Sequence, residues 1–370
     1  MFLFAFLFAA LIVVRGIVPL PIGWGWKVAL SLLAVLCAFK FQLTRLLGGP
    51  MFFAPELPGW FLLVSAWGYA IVFFLFFLLL GRELLLVVLF FCKVRSPQLP
   101  HLLTLGMFVL STTLATVGIW LGTRVPAVRE VNLTLPSLPA EAEGMTIAVL
   151  ADLHADTLTT ATRIEKLVRR ANDTNPDLIV ILGDFVDGTV ARRSQELLPL
   201  RELSAPMGVF GVPGNHEYYS GYDEWMEFLP TLGLRMLPNE RMELSNGIVL
   251  AGVTDPASKR MGGELPDLAK ALDGLPQGKC VILLSHQPIL AKEAAEQGVA
   301  LQFSGHTHGG MVWGLDRLVG RFNGGFYSGL YHIGEMLLYV SNGSSIWNGF
   351  PVRIGHNSEI TLVRLAGTNP

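Results

Sequence analysis

Two kinds of apolar pattern divide this chain. Up to Arg124 the apolar residues run in long stretches with few interruptions; from Val125 onward they come in runs of three to six, separated by polar and helical segments. Four of the front stretches approach the ~20 residues that a bilayer requires. They are Phe2 to Leu20, interrupted by Arg15; Trp24 to Phe41, with Lys27 and Lys40 placed to snorkel near its ends; Trp60 to Leu80; and His101 to Leu121. Leu84 to Cys92 reads as a helical end protruding from the third. The first stretch is followed by Arg15-Gly16-Ile17-Val18-Pro19 rather than a small-residue cleavage site, which favours a retained helix over a cleaved leader.

In the rear half the runs Thr146 to Leu150, Leu178 to Leu182, Val209 to Val212, Ile248 to Val253, Val281 to Leu284, Leu301 to Phe303, Leu337 to Val340 and Ile360 to Val363 read as strands. Between the first two, Ile164, Leu167 and Val168 recur at helical spacing within Thr160 to Asn172. Strand, helix, strand is an α/β plan, which places its chemistry beyond the carboxyl ends of strands. The later strands read as more antiparallel, with Asn246-Gly247 as a tight hairpin turn. The expected organisation is a transmembrane region of about four helices over 1–124, a linker over 125–144 that includes a short strand near Val131 to Leu135, and an α/β domain over 145–370 built as a mixed two-sheet sandwich flanked by helices.

Charge supports that division. Up to Arg124 there are eight Lys or Arg against two acids, a net of +6; from Val125 there are nineteen against twenty-seven, a net of -8. The mean hydropathy of +0.50 is too high for an ordinary soluble enzyme of this length. An acidic rear half without basic runs excludes nucleic acid as an expected partner and leaves membrane lipids. For four spans, the loop cations tie: Lys40, Arg45, Arg124 and Arg129 on the domain side, Arg15, Lys27, Lys93 and Arg95 on the other, with Arg82 assignable to neither. The three cysteines, Cys37, Cys92 and Cys280, suggest no disulfide and read as buried apolar thiols.

Five short motifs carry the candidate chemistry, in this order: Asp152-Leu153-His154, Gly183-Asp184, Gly214-Asn215-His216-Glu217, His286 in Ser285-His286-Gln287-Pro288, and Gly305-His306-Thr307-His308. Two carboxylates, one amide carbonyl and four imidazoles are what two divalent transition metals need when one carboxylate bridges them. His216 is left over for proton transfer. Asp152 and His154 are two apart, so an extended backbone would turn them to the same side, and His306 and His308 repeat that spacing. Asp187 reads as a turn residue or a support for a ligand, Glu217 as an orienting group for His216 or nearby backbone. Tyr218 and Tyr219 read either as substrate-pocket walls or as aromatic packing, Arg353 as a surface ion pair with a phosphate contact as the alternative, and His332, His356 and His101 as structural.

The order Asp-x-His, Gly-Asp, Gly-Asn-His-Glu, His, Gly-His-x-His resembles the calcineurin-like metallophosphoesterases over roughly residues 144 to 366. Gly-Asn-His-Glu-Tyr-Tyr (214–219), Gly-Leu-Tyr (329–331) and Tyr-Val-Ser-Asn-Gly (339–343) look like its membrane-anchored subgroup, the transmembrane proteins with a metallophosphoesterase domain. Met311 departs from the Gln common in relatives, without loss of a ligand. The resemblance implies a four-layer αββα sandwich. It implies Asp152, His154 and His308 at one metal, Asn215, His286 and His306 at the other, and Asp184 between them. The ions expected are Mn, Fe or Zn, the nucleophile a hydroxide shared by them, and His216 the group that stabilises the phosphoryl charge or protonates the leaving oxygen. The expected activity is phosphomonoester or phosphodiester hydrolysis, with pyrophosphate hydrolysis left open beside them, by an integral membrane, multi-pass enzyme with a lipid or lipid-linked phosphate as candidate substrate. A non-catalytic scaffold of the same fold would have eroded ligands, and a transporter would have paired intramembrane charges, for which Arg15 is the sole candidate.

Overall fold

The computed structural model describes residues 2–49, 51, 53–93, 96 and 98–368. The chain divides into a helical unit, Met1–Leu121 with Asn348–Ile354, and a larger unit, Gly122–Trp347 with Gly355–Pro370.

The helical unit contains α1 (Phe2–Leu11), which widens into a π-helical turn at Ile12–Ile17, then α2 (Trp24–Ala38), α3 (Lys40–Gly48), α4 (Gly59–Phe91) and α5 (Leu99–Thr123). By length and composition α4 and α5 can each cross a membrane, and α2 with α3 would make a third span if the pair is counted as one. The first two expected spans therefore differ from straight helices. Phe2–Ile17 is short, and the second breaks at Phe39, where α2 and α3 meet at 67°. Directly after the break, Lys40 is buried with its Nζ on the carbonyls of Asn348 and Gly349, 3.2 Å from each. Helix α4 continues without interruption to Phe91, so Leu84 onward is its protruding end. Phe8, Ile12, Ala34, Ala38, Val72, Leu75 and Leu79 form the apolar core of the unit.

Asn348–Ile354 is a short segment of the rear half that belongs to this unit. Phe350 lies 6.1 Å from the Tyr69 ring and 5.2 Å from that of Phe73, and the Arg353 N–H donates to the Gly118 carbonyl at 2.9 Å. Arg353, read from sequence as a surface residue, is buried here. A Cβ at Gly118 would stand 2.6 Å from Val352 Cγ1. Gly118→Leu is expected to expel the segment and destabilise the helical unit by about 1–3 kcal/mol. New proteolytic cleavage within 348–354 in detergent is the measurement that checks it.

Among the described residues the larger unit holds twelve strands: β1 (Ala127–Thr134), β2 (Thr146–Leu150), β3 (Leu178–Ile181), β4 (Val209–Gly211), β5 (Arg235–Met236), β6 (Glu240–Glu243), β7 (Val249–Gly252), β8 (Val281–Leu284), β9 (Leu301–Ser304), β10 (Gly329–Ile333), β11 (Met336–Val340) and β12 (Glu359–Ala366). They form two mixed six-stranded sheets, ordered β1-β12-β2-β3-β4-β5 and β10-β11-β9-β8-β7-β6. In the first only β12 and β2 run antiparallel. In the second the four central strands are parallel and only the edges β10 and β6 are antiparallel, which corrects the expectation of a mainly antiparallel rear. The reason is legible in Val281-Ile-Leu-Leu, apolar at every position because both faces are covered, as in a parallel sheet. Ile282 and Leu284 pack with Ile147 and Val149 of the first sheet, while Val281 and Leu283 pack with the short helices Leu268–Leu272 and Ala291–Glu296. On the first sheet Ala148 and Leu150 face Ile164, Leu167 and Val168 of α6 (Ala161–Asn172).

The expected linker over 125–144 is folded. Its β1 pairs along its whole length with β12, and Arg163 of α6 donates to the carbonyls of Thr123 and Arg124 at 2.6 and 2.9 Å. Asn246-Gly247 makes the anticipated hairpin, with Gly247 at φ +82° and its N–H on the Leu244 carbonyl.

Candidate metal centre

The strand exits set the site. Asp152 and His154 follow β2, Asp184 follows β3, Asn215 and His216 open the short helix Asn215–Ser220 after β4, His286 follows β8, and His306 and His308 follow β9. The two-apart pairs do not rely on extended backbone, as the spacing suggested. Asp152, His154, Asp184, His306 and His308 all have φ between +47° and +68°, so five of the nine described non-glycine residues with positive φ are site residues. Such conformations cost about 1–3 kcal/mol each and persist where the surroundings over-determine them. One constraint is the approach of Gly183 to Gly214: a Cβ on Gly183 would stand 2.5 Å from the Gly214 nitrogen and 2.9 Å from His286 Nδ1.

All seven expected ligands converge. Three groups each bring their donor atoms within 4.8 Å of one another: Asp152, His154 and His308; His154, Asp184 and His216; Asp184, His286 and His306. Asn215 joins the last through Oδ1, 3.0 Å from His286 Nε2. Asp184 and His154 are each common to two groups, and Asp184 lies near His154, His216 and His286. Imidazole nitrogens face each other directly, His154 Nε2 to His308 Nε2 at 3.0 Å and His306 Nδ1 to His286 Nε2 at 3.2 Å. Each such pair can share one proton in an N–H···N bond; with both rings neutral and both lone pairs turned inward it instead offers two donors to a divalent cation, so the residues fit a metal. His286 Nδ1 lies 2.6 Å from the Leu182 carbonyl, which fixes that nitrogen as the donor and leaves Nε2 as the ligand. Burial, reinforced by the facing His286, pushes His306 down to about 3, whereas against the same burial Asp184 raises His286 and Asp187 raises His154.

Two carboxylates flank the ligands. Asp187, read from sequence as a turn or supporting residue, faces His154 Nδ1 at 3.3 Å and pairs with His216 Nδ1. Burial opposes its ionisation, yet His216 and His154 hold it at about 2; burial likewise opposes charge on His216, and Asp187 with Asp184 raise that ring to about 9. Glu217 orients backbone rather than His216: it accepts N–H bonds from Gly214 (2.6 Å), Phe185 (2.7 Å), Asp184 (3.0 Å) and Val186 (3.3 Å). Burial and the nearby Asp184 push it up to about 7. Glu217→Gln sets an amide N–H₂ against backbone donors; a loss of about 1–3 kcal/mol of stability is expected, with lowered metal content, and thermal unfolding with metal analysis of the variant checks both.

The structure also explains motifs that the spacing left unassigned. Tyr331 Oη accepts from the Tyr327 N–H at 3.1 Å, and the Tyr327 carbonyl accepts from Thr307 Oγ1 at 2.7 Å, so Gly-Leu-Tyr braces the turn between His306 and His308. In Tyr-Val-Ser-Asn-Gly, Tyr339 Oη and the Asn342 N–H both donate to buried Glu359, which sets the turn that brings Gly343 against Asp152 and His308. Trp347 stacks near His308, centroids 6.1 Å apart and planes 23°. Neither Glu359 nor Trp347 carries a local sequence signal. Tyr219 lies tilted 5.6 Å from the His216 ring. His356 pairs with Asp316 at 3.2 Å, and neither it nor His332 or His101 joins the ligand groups.

Comparison with known proteins agrees with this geometry. The model of the calcineurin-like phosphoesterase family matches residues 145–310. An uncharacterized metallophosphoesterase of Helicobacter pylori is 34% identical over 84% of this chain and 83% of its own. The chain belongs to the calcineurin-like phosphoesterases. Two proteins named transmembrane protein with metallophosphoesterase domain, from Danio rerio and Bos taurus, are 32% and 34% identical over 71% and 70% of this chain. The match spans about three-fifths of their lengths, 62% and 61%. The family resemblance read from the five motifs is thereby shown.

Proposed function

We propose that the protein is a membrane-anchored, dinuclear-metal phosphoester hydrolase whose substrate is a lipid or lipid-linked phosphate. One observation carries the catalytic part: the seven donor side chains and His216 meet in a single buried cluster with the nitrogens of His154 and His308, and of His286 and His306, turned toward each other. Asp152, His154 and His308 would hold one ion, Asn215, His286 and His306 the other, with Asp184 shared. Bound there, the ions would supply Lewis acidity at the phosphoryl group and an activated water at neutral pH. The chain supplies the rest. Asp187 orients His216, whose charged ring is suited to bind a phosphoryl oxygen or deliver a proton to the leaving oxygen. Glu217 fixes the loop carrying Asp184, and Trp347 limits the ring positions open to His308.

The anchored part of the reading rests on α4 and α5 and on the names of the Danio rerio and Bos taurus relatives. It includes four spans ahead of a four-layer αββα domain, as the sequence suggests. Four spans exceed what tethering requires, since one membrane helix already anchors a protein effectively irreversibly, and β1 leaves no long tether between α5 and the domain. An amphiphilic substrate fits both the proposed spans and the short connection. The test is a panel of aryl phosphomonoester, aryl phosphodiester, phospholipid and lipid pyrophosphate, offered to the full-length chain in bilayers after loading with Mn, Fe or Zn. Chelator-sensitive turnover, fastest on a lipid, is expected. A folded, metal-loaded protein inert to the whole panel would support the scaffold alternative instead.

A further inference from the structure

The structure gathers the basic residues of the helical unit at one end. Arg82 of α4 donates to the Arg15 carbonyl at 2.8 Å and to Thr104 Oγ1 of α5, and Glu83 pairs with both Arg15 and Arg82. One carboxylate shared by two guanidiniums leaves a net positive charge there. Three residues after Arg15, the Val18 carbonyl accepts from Lys27 Nζ at 2.6 Å, and the same ammonium lies 5.3 Å from the Trp24 ring centre. Trp24 and Trp26 are exposed at that level, as interfacial aromatics are. Exposed Trp60 begins the other end of α4, and the rise from Trp60 to Arg82 is about 33 Å, close to the thickness of a hydrocarbon core.

This settles where Arg82 counts. The end at which α4 hands over to α5 carries Arg15, Lys27 and Arg82 against Glu83, and its connection adds Lys93 and, outside the described residues, Arg95. The end at which α5 leads into the catalytic unit has Lys40 and Arg45 against Glu56 in its short connection, with Arg124 just beyond α5. Lys40 is buried on two backbone carbonyls, and Arg129 stands within β1, paired with Glu359 at 3.1 Å. Orientation follows Lys and Arg in short loops and near span ends, while long domains translocate largely regardless of charge. The tie in the sequence is therefore broken toward the Arg15 end.

We propose that the end bearing Arg15, Lys27 and Lys93, where buried Arg82 ties the Arg15 carbonyl to Thr104, faces the anionic phospholipid headgroups of the cytoplasmic leaflet, so that the metal centre works on the opposite, extracytoplasmic side. The substrate pool is then the phosphoesters of that side, outer-leaflet lipids included. The orientation rests on the helical unit spanning the membrane and is independent of the catalytic reading, so an inert enzyme would not alter it.

Two labels on the full-length chain in intact bacterial cells test the orientation, using a membrane-impermeant maleimide. Cys92, exposed at the end of α4, should react only after lysis. In a Cys92→Ser, Lys166→Cys variant, with the new thiol on the exposed face of α6, labelling should occur in intact cells. Labelling of Cys92 in intact cells, or of both positions, would overturn the proposal. Arg15→Glu, Lys27→Glu and Lys93→Glu together should invert or mix the pattern; an unchanged pattern in membrane-inserted protein would overturn the role given to these charges.

Discussion

Asp184→Ala is expected to strip the centre of both metals and to lower turnover by on the order of 1000-fold or more, the scale of losing a principal electrostatic stabiliser. Two divalent ions roughly 4 Å apart, the usual spacing of such pairs, repel by about 16 kcal/mol at an effective dielectric near 20, so the shared anion between them decides whether both can stay. Asp184 is the carboxylate placed for that role: its Oδ2 lies 3.2 Å from His286 Nε2, 3.7 Å from His154 Nε2 and 3.9 Å from His216 Nε2. It also accepts the His216 backbone N–H at 2.8 Å, so the substitution loosens the start of the helix carrying Asn215. Metal analysis of the purified full-length variant, beside its turnover, decides the matter. Full occupancy with lost turnover would mean that Asp184 acts on the substrate rather than between the ions.

The cluster of donor side chains was legible because each sits at or just past the end of an apolar run, three of the five motifs being flanked by glycine, and strand exits are where an α/β sheet concentrates its chemistry. β2 and β8 matched their apolar runs residue for residue, since strands buried on both faces leave no ambiguity of pattern. What the sequence hid is non-local. β10, in Gly329–Ile333, alternates partly exposed and exposed positions at a sheet edge and offers no apolar run. β1 pairs with β12 across more than two hundred residues, a partnership no local window contains, and so its segment read as a tether. The backbone of the Asp-x-His and His-x-His pairs was hidden for another reason. Left-handed φ at Asp and His is imposed by the packing of five loops, among them the backbone contact of Gly183 and Gly214, and not by the residues' own preferences. The Asn348–Ile354 segment shows the same limit, because its place in the helical unit depends on Lys40 and Gly118, far away in sequence.

His216→Ala separates the chemistry from the metal sites. His216 belongs to one donor group with His154 and Asp184, so geometry alone would allow it a ligand's role. The family resemblance leaves His216 outside both ligand sets, and its Nδ1 is taken by Asp187, with Nε2 standing 3.9 Å from Asp184 Oδ2. Burial opposes charge on this ring, yet Asp187 and Asp184 raise it to about 9, which suits it to a phosphoryl oxygen or a leaving group. His216→Ala should therefore keep near-normal metal content while turnover falls by about 100-fold or more, the usual scale for a lost acid. Asp187→Asn should behave differently, because Asp187 also faces His154; metal affinity is expected to fall by about 10- to 100-fold along with turnover. Metal titrations and single-turnover rates on both variants distinguish the roles. Depletion of metal in His216→Ala with full retention in Asp187→Asn would make His216 a ligand and leave the leaving group to be protonated from another residue or from solvent.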